Sequence, residues 1–227
     1  MDTNYRTIPK RESRGIAGHS MGGGGSTNIS LKHPDKYSVV YLMSPAIGAG
    51  EKAIIDSMFP NDSTMMILDD LSQKMAKVDA KDFQKEITKV LDNSNYNLSW
   101  ILAYGMAFAP DTSQPLKMKL PFNKKANGEY EINKENYALW KNGLGGLEKK
   151  VAKYKSNLLQ YKHYAIDCGY NDHLQFIIEG TTYYTSLLAK NNIPFSMQWH
   201  NGNHSSNFGE QLAKSVFPIM SVYLERE

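Results

Sequence analysis

The stretch that most constrains this chain is "GIAGHSMGGGGSTNIS", residues 15–30. A serine, Ser20, stands between Gly18 and Gly22, and three more glycines follow where a helix normally avoids them. Residues 14–19 read as a short strand and 20–32 as a helix, so the serine falls on the turn between them. Strand, G-x-S-x-G, helix is the nucleophile-elbow pattern. A serine on so tight a turn adopts a strained backbone, and its oxygen is pushed into a cleft. Bulk two residues to either side would strike neighbouring backbone, which accounts for Gly18 and Gly22. The N–H groups of the new helix favour a developing negative charge, and that of Met21 is the expected oxyanion donor. Gly23, Gly24 and Gly25 are expected to let the helix pack closely, at about 1 kcal/mol each relative to alanine. A phosphate-binding loop is disfavoured, because the G-x-x-x-x-G-K-[ST] spacing is missing and no lysine closely follows the glycines.

The rest of the chain supplies partners for such a serine. "YSVVYLMSPA" (37–46) is a continuous apolar run and reads as a buried strand. "HYAIDCG" (163–169) and "FSMQWH" (195–200) read as further strands, with a helix over 174–190 between them. Phe208, Leu212, Val216, Ile219 and Tyr223 follow helical spacing, with a kink expected at Pro218. Alternating strands and helices predict a parallel α/β sheet. Residues 50–160 break the alternation. Ile67, Leu71, Met75 and Val78 recur at helical spacing, as do Phe83, Ile87, Val90 and Leu91, whereas 110–135 reads as loop. The expected organisation is therefore a catalytic core of 1–49 and 161–227, with 50–160 a mostly helical, cap-like insertion.

A nucleophilic serine needs a base, and the base an orienting acid. "DCGYNDHLQF" offers Asp172 just past a strand end, and "HNGNHSSNF" offers His204 in a loop after the last strand. Both lie at carboxyl ends of strands, where open α/β sheets place their sites. Asp167 and His200 are the rivals, disfavoured because they fall within or at the end of strands; His173 reads as a surface loop residue. As a metal set, Asp172, His173, His200 and His204 match no tight zinc spacing, and that reading leaves the serine elbow unexplained. Cys168, the single cysteine, reads as a packed small hydrophobe and cannot form an intrachain disulfide. Trp100, Tyr104, Phe108 and Trp140 read as core or cap aromatics; Phe108 and Trp140, with His19, are the candidate lining of a substrate pocket.

Hydrophobic residues make up 41% and charged residues 22%, with a net charge of +3. Acidic residues interrupt the basic ones, so no stripe suited to nucleic acid forms. The longest apolar run, "WILAYGMAFA" (100–109), falls short of the about 20 residues a membrane span needs. "MDTNYRTIPK" has no apolar centre of the signal-peptide kind, and the compartment stays open.

"YRTIPKRESRGIAGHSMGG", "FAPDTSQP", "IDCGYNDHL" and "GNH" together resemble the esterase D-like esterases of the α/β-hydrolase fold. That group includes S-formylglutathione hydrolases and feruloyl and acetyl-xylan esterases. The resemblance implies Ser20 as nucleophile, Asp172 as acid and His204 as base. It implies hydrolysis of a carboxylic ester or thioester, of an acylated carbohydrate or other small ester, with no metal or organic cofactor. An acyltransferase on the same residues and a catalytically inactive relative that binds a ligand or partner are the alternatives. In the family the elbow follows the fifth of eight strands, and an earlier loop supplies the second oxyanion N–H. This chain begins just before the strand that resembles the fifth, so a partial fold is expected. Its "RGIAGHS" edge, without proline or inward lysine, would then be open to a missing N-terminal segment or a second copy.

Overall fold

The computed structural model describes residues 3–50, 54–57, 59, 61–93 and 96–226. They divide into two compact units, Met1–Lys52 with Leu144–Glu227, and Ala53–Gly143.

The first unit opens with β1 (Gly15–His19), α1 (Met21–Lys32) and β2 (Val39–Met43). The second holds α2 (Asp62–Met75), α3 (Phe83–Asn93), α4 (Tyr96–Phe108), a hairpin of β3 (Phe122–Lys124) and β4 (Tyr130–Ile132), and α5 (Lys134–Gly143). The chain then returns to the first unit through α6 (Leu147–Lys153), α7 (Lys155–Leu158), β5 (His163–Gly169), α8 (Gln175–Lys190) and β6 (Ser196–His200). It ends with α9 (Phe208–Gln211), a π-helical turn at Leu212–Val216 and α10 (Phe217–Tyr223).

β1, β2, β5 and β6 form one sheet in that order, every pair parallel. β2 and most of β5 are buried, as their unbroken apolar runs require of central parallel strands. Side chains alternate across the sheet. Val40, Leu42, Tyr164 and Ile166 pack with Leu31 of α1, Val151 of α6, Leu158 of α7 and Tyr184 and Leu188 of α8. On the opposite face Tyr41, Met43 and Ala165 pack with Val216, and Leu212, Ile219 and Met220 cover them. The helical spacing read in 208–223 thus becomes one sheet-covering segment. The expected irregularity lies ahead of Pro218, in the π turn; the proline itself sits in the first turn of α10, where its missing N–H costs little.

α1 has no apolar stripe, yet Ser26, Thr27 and Ser30 are buried. Two of these hydroxyls are satisfied locally: Thr27 Oγ1 donates to Gly23 O at 2.9 Å, and Ser30 Oγ donates to Thr27 O at 2.9 Å. Small size replaces hydrophobicity as the packing device. A Cβ on Gly23 would lie 2.8 Å from Pro45 Cα, and one on Gly24 would lie 2.4 Å from Ala46 O. Gly22 and Gly25 differ from expectation, since a Cβ on either meets nothing within 4 Å. Close approach explains two of the four consecutive glycines.

Three other expectations are corrected. The core resumes at Leu144 rather than 161, because Leu147, Val151 and Leu158 all join its apolar cluster. Residues 110–135 contain the β3–β4 hairpin, which a loop-like composition concealed. In α2 the buried stripe is Met65, Leu68, Leu71 and Met75, whereas Ile67 is half exposed.

Gly24→Ala and Gly25→Ala are therefore expected to have opposite effects in urea unfolding. Gly25→Ala gains about 0.5–1 kcal/mol from helix propensity. Gly24→Ala loses about 1–3 kcal/mol, because backbone must move to admit the methyl group. Equal effects of the two would refute the close-packing account of α1.

Candidate active site

At the C-terminal ends of the strands, each chain leaves its ladder by one more bond to its neighbour. Ser20 N donates to Met43 O at 3.0 Å, Ser44 N to Asp167 O at 2.9 Å, and Tyr170 N to His200 O at 2.9 Å. The chains leaving β1, β2 and β5 are thereby anchored along one rim. The loops after β1, β5 and β6 each carry one of the three expected residues at that rim.

Ser20 joins β1 to α1 with φ 56° and ψ −119°, a conformation side-chain-bearing residues rarely adopt. Its backbone is clamped: the carbonyl accepts from Gly24 N at 3.0 Å and from Ala46 N at 2.8 Å. Gly18 is obligatory, since a Cβ there would lie 2.2 Å from Gly22 O. Met21 begins α1, so its N–H belongs to the turn that has no intrahelical acceptors.

His204 Nε2 lies 2.8 Å from Ser20 Oγ, and its Nδ1 lies 2.7 Å from Asp172 Oδ2. The other Asp172 oxygen, Oδ1, accepts from Leu174 N at 2.9 Å. The Asp172 side chain is wholly buried and that of His204 nearly so. Both carboxylate oxygens thus have a donor, which a buried charge requires. The carboxylate accepts a hydrogen bond from His204 Nδ1–H, which leaves Nε2 as an acceptor facing the serine hydroxyl. That arrangement can remove the hydroxyl proton as the serine attacks an electrophile.

The rivals lie elsewhere. Asp167 is buried within β5, between Met43 of β2 and Gln198 of β6 in register. Neither of its carboxylate oxygens has a hydrogen-bond partner among the described residues. His200 ends β6 against Gln211, and burial lowers its pKa while Asp172 opposes that shift. His173 is exposed, with its ring edge-on to His204 at 5.9 Å. Burial pushes the Cys168 thiol up to about 11, far from a reactive thiolate at neutral pH. Among the described residues no three His, Cys, Asp or Glu side chains are grouped to hold a metal ion, and no helix is long and apolar enough to cross a membrane.

Of the expected pocket residues, Trp140 and Phe108 belong to the second unit and His19 to the first. Trp140 is fully buried in the second unit, its ring against Phe59 and Tyr104 and its Nε1 donating to Lys119 O at 2.8 Å. Phe108 packs on Tyr104 of the same unit. His19 lies in the first unit, with its ring 4.8 Å from that of His204. Sequence reasoning missed this contact and the turn that shapes the His204 loop. In that turn Asn203 Oδ1 accepts from Ser205 N and Ser206 N, and Asn203 N donates to Ser206 Oγ. "NHSS" carries a local signal for the turn, as asparagine and serine cap their own backbone. Nothing in the spacing signals the His19 contact.

Residues 1–146 match the family model described as "Putative esterase". The chain belongs to this esterase family. Among solved structures, it is similar to a ferulic acid esterase at 18% identity and a TM-score of 0.54, over 98% of this chain and 57% of that one. It is also similar to an S-formylglutathione hydrolase from Staphylococcus aureus (18% identity, TM-score 0.47, 96% and 55% covered). A third is an S-formylglutathione hydrolase from Agrobacterium tumefaciens (15% identity, TM-score 0.45, 99% and 53% covered). A search of curated proteins gives no match. The family member described here spans little more than half the length of these solved relatives. Its four-stranded parallel sheet with flanking helices is a partial α/β-hydrolase fold.

Asp167 provides a prediction separate from catalysis. Burial raises its carboxyl pKa to about 6, and the nearby Tyr41 hydroxyl and Ser44 N–H offset only part of that. The folded protein then holds this proton more tightly than the unfolded chain, so stability falls as pH rises from about 4 to about 6. Above that window the cost is about 3 kcal/mol. Asp167→Asn is expected to stabilise the fold at pH 7 and to change it little at pH 4, measured by urea unfolding. The same difference at both pH values would refute an uncompensated carboxylate.

Proposed function

We propose that this chain carries the catalytic site of a serine hydrolase for carboxylic esters or thioesters. The observation that bears the proposal is the strained turn at Ser20, whose oxygen stands 2.8 Å from an imidazole backed by a buried carboxylate. A structural serine needs neither the strain nor the partners, and backbone strain of this kind concentrates at functional sites.

The reaction runs in two displacements. Ser20 Oγ attacks the substrate carbonyl while His204 Nε2 takes the hydroxyl proton. Asp172 stabilises the imidazolium through Nδ1 without itself becoming protonated. The carbonyl oxygen becomes an oxyanion facing the N-terminal turn of α1, where the Met21 N–H donates. The tetrahedral intermediate collapses, and His204 returns its proton to the leaving alcohol or thiol. Water then repeats the attack on the acyl-serine, losing its proton to His204, which passes it to Ser20 as the acid leaves. The name of the similar ferulic acid esterase makes a feruloyl ester one arm of the substrate panel, beside small acetyl esters. Added alcohol separates hydrolysis from acyl transfer, because only transfer yields a new ester.

A fluorophosphonate probe tests the site without knowledge of the substrate. Wild-type protein is expected to take one label on Ser20, and Ser20→Ala and His204→Ala to take none. On any ester that is turned over, Asp172→Asn is expected to lower kcat by about 10⁴-fold through loss of the correct tautomer. A folded wild-type chain that takes no label would overturn the proposal in favour of a non-catalytic role.

A further inference from the structure

His19 was expected in a substrate pocket, but its contacts run toward the base. It is the last residue of β1, paired in register with Met43, and directly precedes Ser20. Its Nε2 lies 2.7 Å from the backbone carbonyl oxygen of His204. A carbonyl only accepts, so His19 Nε2 carries the proton and donates it. The two imidazole rings also meet, with centroids 4.8 Å apart at 39°. The His19 ring also meets Phe208, at the start of α9, edge-on with centroids 5.2 Å apart.

The loop that carries His204 needs such support. Residues 201–207 have no regular secondary structure. Their other anchors are local or run to the loop after β5: Gly202 O accepts from Asn171 N at 3.0 Å, Asn201 Oδ1 accepts from Asn171 Nδ2 at 2.9 Å, and the Asn203 turn bonds join residues 203, 205 and 206 to one another across His204. Those bonds shape the loop without fixing residue 204 relative to β1. His19 supplies that link, and it does so from the residue adjacent to the nucleophile. One rigid segment therefore sets the position of both Ser20 Oγ and the backbone of its base.

We infer that His19 is a positioning residue for His204, its Nε2–H holding the His204 carbonyl so that the base meets Ser20. The inference rests on the proposed serine-hydrolase reading for its catalytic consequence, but its hydrogen bond can be read independently. A displacement of about 1 Å in a reacting group costs on the order of 100-fold in rate, so a bond of this kind is worth testing.

The experiment uses the full chain with ¹⁵N-labelled histidine, wild type beside His19→Phe and His19→Gln. At pH 8 the ring nitrogens of wild-type His19 are expected to report the Nε2–H tautomer. The low-field proton of the His204–Asp172 bond is expected in wild type and in His19→Gln, whose amide can still donate. In His19→Phe, which keeps a ring but no donor, that proton is expected to broaden or vanish. The rate of fluorophosphonate labelling should fall roughly 10- to 100-fold in His19→Phe and recover in His19→Gln. With p-nitrophenyl acetate the loss should appear in kcat and not in KM.

An Nδ1–H tautomer for His19 would overturn the inference, and that measurement needs no variant. An unchanged labelling rate in His19→Phe would overturn it as well. A raised KM at constant kcat would return His19 to the substrate pocket. Wild-type protein that takes no label while showing the Nε2–H tautomer and the low-field proton supports the positioning role and counts against the proposed function alone.

Discussion

The backbone of Ser20 is the constraint on which the arrangement depends. A non-glycine residue at φ 56° and ψ −119° costs about 1–3 kcal/mol, and only surrounding structure that over-determines the turn can hold it there. Its N–H is tied to β2, and its carbonyl is shared between the first turn of α1 and the loop after β2. Those bonds work only if α1 lies close against the chain that follows β2. Gly23 and Gly24 permit that approach, and the short polar residues Ser26, Thr27 and Ser30 carry it along the helix. An amphipathic helix with large apolar residues on this face would stand too far away. The polarity of α1 is thus a consequence of the turn rather than a defect of the core.

The sheet converts this local strain into a site. Parallel strands bring their carboxyl ends to one side, and the bonds from Ser20, Ser44 and Tyr170 to the neighbouring strands hold the outgoing chains at that rim. Ser20 then needs no movement of the core to meet a residue from the loop after β6. Gly169 continues the same logic: a Cβ there would lie 2.3 Å from Gly202 O, so the His204 loop can settle directly on the end of β5. Asp172 follows within the next turn, so the carboxylate and the imidazole bonded to it come from adjacent strand ends.

Much of this was legible in the sequence for a physical reason. G-x-S-x-G between an apolar strand and a glycine-rich helix leaves few alternatives, because only a strained turn requires so much lost bulk. Asp172 and His204 are preferred over Asp167 and His200 because strand polarity puts functional groups past the strand end, and these are the two side chains that the structure links to each other and to Ser20. The second unit was less readable. The β3–β4 hairpin lies in a stretch rich in lysine, asparagine and glycine, and its two strands are only three residues each. So short a pairing leaves almost no alternation to detect. The return point at Leu144 was hidden because α6 carries a lysine-rich face over Leu147 and Val151, and charge masked a core helix. Gly22 and Gly25 show the opposite error, since a run of glycines invites one explanation where packing supplies it for only two.

The two aspartates of the β5 region show how a few residues of displacement change what a carboxylate does. Asp172 is buried, but it lies past the strand, where loop backbone and a side chain from another loop can reach it. Leu174 N and His204 Nδ1 each take one oxygen. Asp167 is buried inside the ladder, where neighbouring backbone groups are committed to strand pairing, and neither carboxylate oxygen has a hydrogen-bond partner among the described residues. The same chemical group is therefore given two hydrogen-bond donors in one place and driven toward its neutral form in the other. A carboxylate orients an imidazole only if it stays ionised when the imidazole takes a proton. Asp167, driven toward its neutral form by burial, would serve poorly even if His204 could reach it. Strand register thus separates the two carboxylates, one past the strand end within reach of His204 and one enclosed in the ladder.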